Sequence, residues 1–137
     1  MRLNQNLIPF LILLFCLNSC QTKTPQQLIV GSWEVIPSGE KANINKIAKE
    51  LGLPESKVIF TFNSDGKIKK ETLSNKVVTQ VNSGTYEIRD NGKKLVIYRE
   101  GMPDRKNESE IKVITPDSMT LIDVSGFNGV MVLKKAD

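Results

Sequence analysis

Val58-Ile59-Phe60-Thr61-Phe62-Asn63-Ser64-Asp65-Gly66 reads as one β-strand running into one tight turn. Val58, Phe60 and Phe62 alternate with Ile59 and Thr61, so a large apolar side chain returns to the same side at every second residue. That is the period of a strand with one buried face. Ser64-Asp65-Gly66 then brings a carboxylate that caps backbone amides and a glycine that accepts positive φ, the chemistry of a hairpin. The same period extends in both directions. Gly31, Trp33 and Val35 alternate with Ser32 and Glu34, Tyr86 and Ile88 with Thr85 and Glu87, and Ile111 and Val113 with Lys112. Eight strands are predicted, at 29–36, 57–63, 67–73, 77–88, 93–99, 108–115, 118–124 and 129–135.

Asp90-Asn91-Gly92 and Phe127-Asn128-Gly129 repeat the turn chemistry, and Ser74-Asn75 and Thr115-Pro116-Asp117 are equally short. Short loops force each strand beside its predecessor, because a parallel crossover needs about a dozen residues or more. The expected fold class is therefore all-β: an eight-stranded antiparallel up-and-down barrel, whose closure removes exposed strand edges. An open two-sheet sandwich is the alternative. One stretch departs from the period of two. In Lys41–Gly52, Ile44, Ile47, Ala48 and Leu51 fall at helical spacing, with Gly52 as a C-terminal cap and Pro54 beyond it. A short helix is expected there, between strands one and two. Its Ile44, Ile47 and Leu51 would bury against the barrel rim, either as a lid over a cavity or as the closure of a packed end.

The first residues carry an address. Arg2 precedes an apolar run from Leu7 to Leu17, and small or polar residues lead to Cys20. Eleven apolar residues rise about 16 Å as a helix, too little to cross a hydrocarbon core of about 30 Å, so they read as a secretory signal peptide. Leu17-Asn18-Ser19-Cys20 resembles the bacterial lipobox, which implies cleavage after Ser19 and lipidation of Cys20. The expected organisation is a signal peptide at 1–19, a polar tether at 20–27 and one barrel domain at 28–137. Gln21 differs from the Asp that commonly retains lipoproteins at the inner membrane. An outer-membrane protein anchored at the periplasmic face is therefore expected.

Composition narrows the chemistry. Nineteen Lys and Arg against fifteen Asp and Glu leave a net charge of +4, with both signs mixed along the chain, which argues against a nucleic-acid partner. Cys16 lies inside the apolar run, so a mature chain starting at Cys20 has neither a disulfide nor a free thiol. There is no histidine. Ser-His-Asp and Cys-His catalysis and His-ligated zinc drop out together. The carboxylates are scattered, and no two are placed by sequence for acid–base work, so neither an enzyme, a metal site nor a cofactor is expected.

Gly31-Ser32-Trp33 near the start of strand one resembles the Gly-x-Trp of lipocalins. Val58–Gly66, Gly84-Thr-Tyr-Glu-Ile88, Leu95-Val-Ile97 and Asp117-Ser-Met-Thr-Leu121 then follow in the order seen in small lipocalin-like lipoproteins of Bacteroidetes. The resemblance implies an up-and-down barrel with Trp33 closing one end. In lipocalins an arginine of the last strand packs over that tryptophan; here the last strand offers Lys134 and Lys135 instead. The helix at 41–52 occupies the position of the helical insert that covers the mouth in fatty-acid-binding barrels. Asp117-Ser118-Met119 resembles the O-glycosylation signal of exported Bacteroidetes proteins, which marks Ser118.

Two functions are compatible with these residues. The first is a small apolar or amphipathic ligand held in the barrel, with Trp33, Phe60, Phe62, Tyr86, Met119, Leu121 and Asp123 as candidate contacts and Ile44, Ile47 and Leu51 as lid residues. Asp123 joins this set because it shares alternation with Met119 and Leu121. The second is a filled barrel that docks a protein partner through its loops, as an accessory subunit or inhibitor. A polar hairpin tip from Arg99 to Ser109 is expected among those loops.

Overall fold

A computed structural model describes residues 22–124 and 129–136, with backbone only for Glu40, Lys41 and Pro103. The Cys20 motif and Phe127-Asn128 of the last turn lie outside the described residues. Eight strands, β1 (Gly31–Ile36), β2 (Ser56–Phe62), β3 (Lys67–Ser74), β4 (Val77–Arg89), β5 (Lys94–Arg99), β6 (Met102–Ile114), β7 (Ser118–Asp123) and β8 (Val130–Lys135), run in sequence order around a closed barrel. Every neighbouring pair is antiparallel, and β1 meets β8 to complete the wall. The predicted up-and-down barrel is therefore the fold, and the sandwich is not.

The turns are made as their residues dictate. After Phe62, the Gly66 amide donates to the Asn63 carbonyl at 3.1 Å, and the Lys67 amide donates to the Asp65 carboxylate at 3.1 Å. Asn75 and Lys76 both adopt positive φ, the two-residue turn whose twist matches that of the strands it joins.

Among the described residues, two α-helices flank β1. α1 (Pro25–Ile29) starts with proline and a reciprocal cap: Gln27 donates its amide to the Thr24 hydroxyl, and Thr24 donates its amide to the Gln27 side chain. The polar tether expected to run through Gln27 thus gives way to a helix at Pro25, and β1 starts at Gly31 instead of Ile29. α2 (Glu40–Glu50) lies between β1 and β2, as predicted. It ends with Gly52 at φ +67, the Gly52 amide on the Lys49 carbonyl and the Leu53 amide on the Ala48 carbonyl, a Schellman stop. A third departure is β6. The polar stretch expected as a hairpin tip is strand from Met102 onward, and only Glu100-Gly101 remains as the turn.

The up-and-down order gives the barrel two unlike ends. α1 and the turns β2–β3, β4–β5 and β6–β7 gather at one end. α2 and the connections β3–β4, β5–β6 and β7–β8 gather at the other. The core belongs mainly to the first. Ile29, Trp33, Phe62, Leu95, Met119 and Leu133 are essentially inaccessible, and Ile68, Ile111 and Leu121 are nearly so.

Candidate functional site

Trp33 plugs the closed end. It has no exposed surface, and its indole N–H donates to the Ile29 carbonyl at 2.6 Å, so α1 is tied to the barrel floor through the ring. β8 pairs Lys135 beside Trp33, and the Lys135 ammonium sits 4.3 Å from the ring centroid while donating to the Val30 carbonyl at 2.7 Å. Lysine thus occupies the place that the resemblance gives to arginine, with its ammonium over the ring in cation–π range. Burial holds its ammonium below the usual lysine range, and the like charge of Lys23 adds to this. Phe62 packs edge-on to Tyr86 with centroids 5.0 Å apart, and the Tyr86 hydroxyl donates to the Asn63 carbonyl at 2.8 Å. Trp33, Phe62 and Met119 are therefore sealed in the floor, out of reach of a ligand that enters at the other end. Tyr86 is half-buried, but its hydroxyl is committed to the floor turn.

Above the floor the lining changes character. Register places Val35, Phe60, Ile97 and Leu121 on the inward face, the first three half-buried. Continuing along the strands, the inward positions become polar. Lys70 pairs with Phe60 on one side and Asn82 on the other, Arg99 pairs with Gly84, and Ser109 pairs with Asp123. The Lys70 ammonium stands 5.8 Å from the Phe60 ring centroid. Asp123 is half-buried on the same face as Met119 and Leu121, at the end of β7 nearest the mouth. Of the seven candidate contacts, Phe60, Leu121 and Asp123 reach this upper half. Lys70, Asn82 and Arg99 were missed, because inward-facing polar residues look like solvent-facing ones until the register is known. Ser118 is half-buried beside the β6–β7 turn, 3.4 Å from the Thr115 hydroxyl.

The lid residues are not where the amphipathic pattern suggested. Ile44, Ile47 and Leu51 are 63%, 54% and 68% exposed, so they do not bury against the rim. α2 is rolled the other way. A cleft of about 410 Å³ separates it from the ends of β1 and β2, and Asn45, Lys46 and Lys49 are the α2 side chains that line it, opposite Glu34, Val35 and Lys57. The Lys57–Glu34 ion pair at 3.0 Å and the polar cleft leave the apolar stripe nothing to pack on. A second cleft, about 530 Å³, runs along β3, β4 and β5 past Lys69, Ser83, Gly84 and Tyr98. None of the seven candidate contacts lines either cleft.

The exposed apolar side chains have a clear distribution. Twelve large ones are exposed among the described residues, and eleven belong to α2 and its C-terminal turn, to the mouth halves of the strands or, for Val124, to the β7–β8 connection. Val113 is the exception. Among the described residues no three His, Cys, Asp or Glu side chains gather into a metal-binding group.

The sequence profile of the lipocalin-like domain matches residues 29–121, from the last residue of α1 into β7. The chain belongs to the lipocalin-like domain family. No curated protein and no solved structure matches it. The matched span holds Trp33, the α2 insert, β1 to β6 and β7 as far as Leu121, while Asp123 and β8 with Lys135 lie beyond it. This lipocalin-like barrel thus keeps a tryptophan floor and carries its own polar upper lining.

Proposed function

We propose that this lipocalin-like domain is a non-enzymatic binding module of the cell envelope. It holds a small apolar or amphipathic molecule in the upper half of the barrel. The observation that carries this reading is the point at which the core stops. Eight strands enclose either a filled interior or room for one small ligand. Here the packed side chains end about halfway up, and half-buried Val35, Phe60 and Ile97 lead to a polar collar of Lys70, Asn82 and Arg99. An apolar body would rest on the former and a polar end would meet the latter, the division of labour found in small-molecule sites.

The Leu17–Cys20 motif supports an acylated Cys20 and anchorage at the periplasmic face of an outer membrane. Two measurements test the two parts separately. Native mass spectrometry of the barrel mixed with extracted envelope lipids should show a bound species of lipid mass, and displacement of a fluorescent fatty acid should confirm it. A barrel that carries nothing and takes up no dye overturns the binding part. Metabolic palmitate labelling reads the anchor: the intact chain should incorporate label and Cys20→Ala should not.

A further inference from the structure

We infer that the molecule held in the upper barrel is an anion, an amphipath whose carboxylate or phosphate head sits between Lys70 and Arg99. The inference rests on the ligand reading above and adds the charge of that ligand. Among the residues that the strand registers pair, the charges on the inner face above the floor are Lys70, Arg99 and Asp123. Asp123 belongs to β7, four strands round the ring from β3, and has contacts of its own. Lys70 on β3 and Arg99 on β5 flank β4, and both are exposed. Lys70 lies opposite Asn82 and Arg99 opposite Gly84, so two strand spacings and one side-chain step separate them, about 12 Å between Cα atoms. Two side chains of this length reach one head group across that gap, and Gly84 puts no side chain in the way. The position of Lys70 beside the Phe60 ring brings its ammonium over the apolar shelf.

These two cations differ from those of the outer wall, which stand beside carboxylates. Lys57 meets Glu34 at 3.0 Å, Lys69 meets Glu71 at 2.9 Å, Arg89 meets Glu87 at 2.6 Å and Lys106 meets Glu108 at 2.7 Å. Neither Lys70 nor Arg99 forms an ion pair among the described residues. Exposed to solvent, both are hydrated. An apolar body settling on Val35, Phe60 and Ile97 strips part of that hydration, and a charge left without a partner opposes the burial. A neutral head leaves that cost standing, and a cationic head adds repulsion to it. An anionic head removes it. The head takes charge-assisted bonds from the Lys70 ammonium and from the planar fork of Arg99, and the Asn82 amide stands opposite Lys70 as a further donor.

The test uses the chain from Thr22 onward, which retains the whole described core, Ile29 to Leu133. Four probes with the same alkyl chain are titrated calorimetrically below their micelle concentrations: dodecanoate, dodecyl phosphate, dodecanol and dodecyltrimethylammonium. At least one anion should bind about tenfold or more tightly than dodecanol, with the ammonium probe weakest. The tighter anion identifies the head group as carboxylate or phosphate. Lys70→Gln/Arg99→Gln should abolish the preference for an anion. Lys57→Gln/Lys112→Gln removes the same charge from the outer wall and should keep that preference. Thermal unfolding of both double variants should stay close to wild type, since all four side chains are exposed. Dodecanol bound as tightly as both anions, or a preference that survives in Lys70→Gln/Arg99→Gln, overturns the inference and leaves the ligand reading standing. A chain that binds none of the four probes overturns that reading as well.

Discussion

Trp33 and Lys135 show what single residues contribute to this barrel. The indole fills the floor, its N–H satisfies the last buried carbonyl of α1, and the ammonium of Lys135 covers its face. Trp33→Phe leaves the Ile29 carbonyl without its donor and opens a void, so a loss of about 2–4 kcal/mol is expected in denaturant unfolding. Lys135→Met keeps the apolar stem but removes both the charge over the ring and the bond to the Val30 carbonyl. About 1–2 kcal/mol is expected for it. The sequence marked Trp33 through its Gly-x-Trp context, yet it offered Lys134 and Lys135 equally, and only the β1–β8 register decides between them. Tyr86 gives a pH test at the same scale. Burial raises its phenol above the ordinary 10.0, with the charge of Asp65 adding to this. Between 10.0 and the raised folded value the native state holds a proton that the unfolded chain has lost. Stability from this group is therefore full below pH 10 and falls as pH rises beyond it. Tyr86→Phe should flatten that part of the stability–pH curve while costing about 1 kcal/mol at neutral pH through the lost bond to Asn63.

At the scale of elements, hairpins and strands were legible because their signals are local. Positive-φ residues in the turns and alternation in the strands depend on neighbours two to four residues away. α2 shows where that information ends. Helical spacing says which residues share a face, not what the face meets, and here the polar side lines the cleft toward β1 and β2. Ile47→Asp discriminates. A plug residue would lose several kcal/mol by burying a charge, whereas an exposed one should change stability by no more than about 0.5 kcal/mol, read by thermal unfolding. The first half of β6 was missed for a related reason. Met102 to Asn107 is rich in charge, and Asn107 and Lys106 are strand residues because β5 offers Ile97 and Tyr98 as backbone partners. Gly84 is a third element-scale feature that was quoted only as part of a motif. An added Cβ there would collide with the Tyr98 carbonyl, a backbone atom that cannot step aside. Gly84→Ala should therefore disrupt the β4–β5 pairing, costing about 2 kcal/mol or more and showing as chemical-shift changes confined to Gly84–Tyr86 and Ile97–Arg99.

The whole molecule is asymmetric along its axis, and its stability should be too. The inaccessible side chains gather toward the Trp33 end, while the mouth carries long hairpins, an unpacked helix and most of the exposed apolar surface. Local opening draws on regions with few buried apolar contacts, so amide exchange is expected to divide the same strands into two zones. Amides near Trp33, Phe62, Leu95 and Leu133 should exchange only through global unfolding. Those of α2, of Val77–Val81 and of β6 before Asn107 should exchange through local opening that is insensitive to low denaturant. The division matters for function because the open zone is where a ligand would settle. A ligand bound among Val35, Phe60 and Ile97 stabilises the state that holds it, so slower exchange should spread to Lys70, Asn82 and the other upper-half positions with little change at the floor. Protection that rises uniformly over the barrel would instead mean that the two ends unfold as one unit. The mouth would then have no independent motion through which to admit a guest.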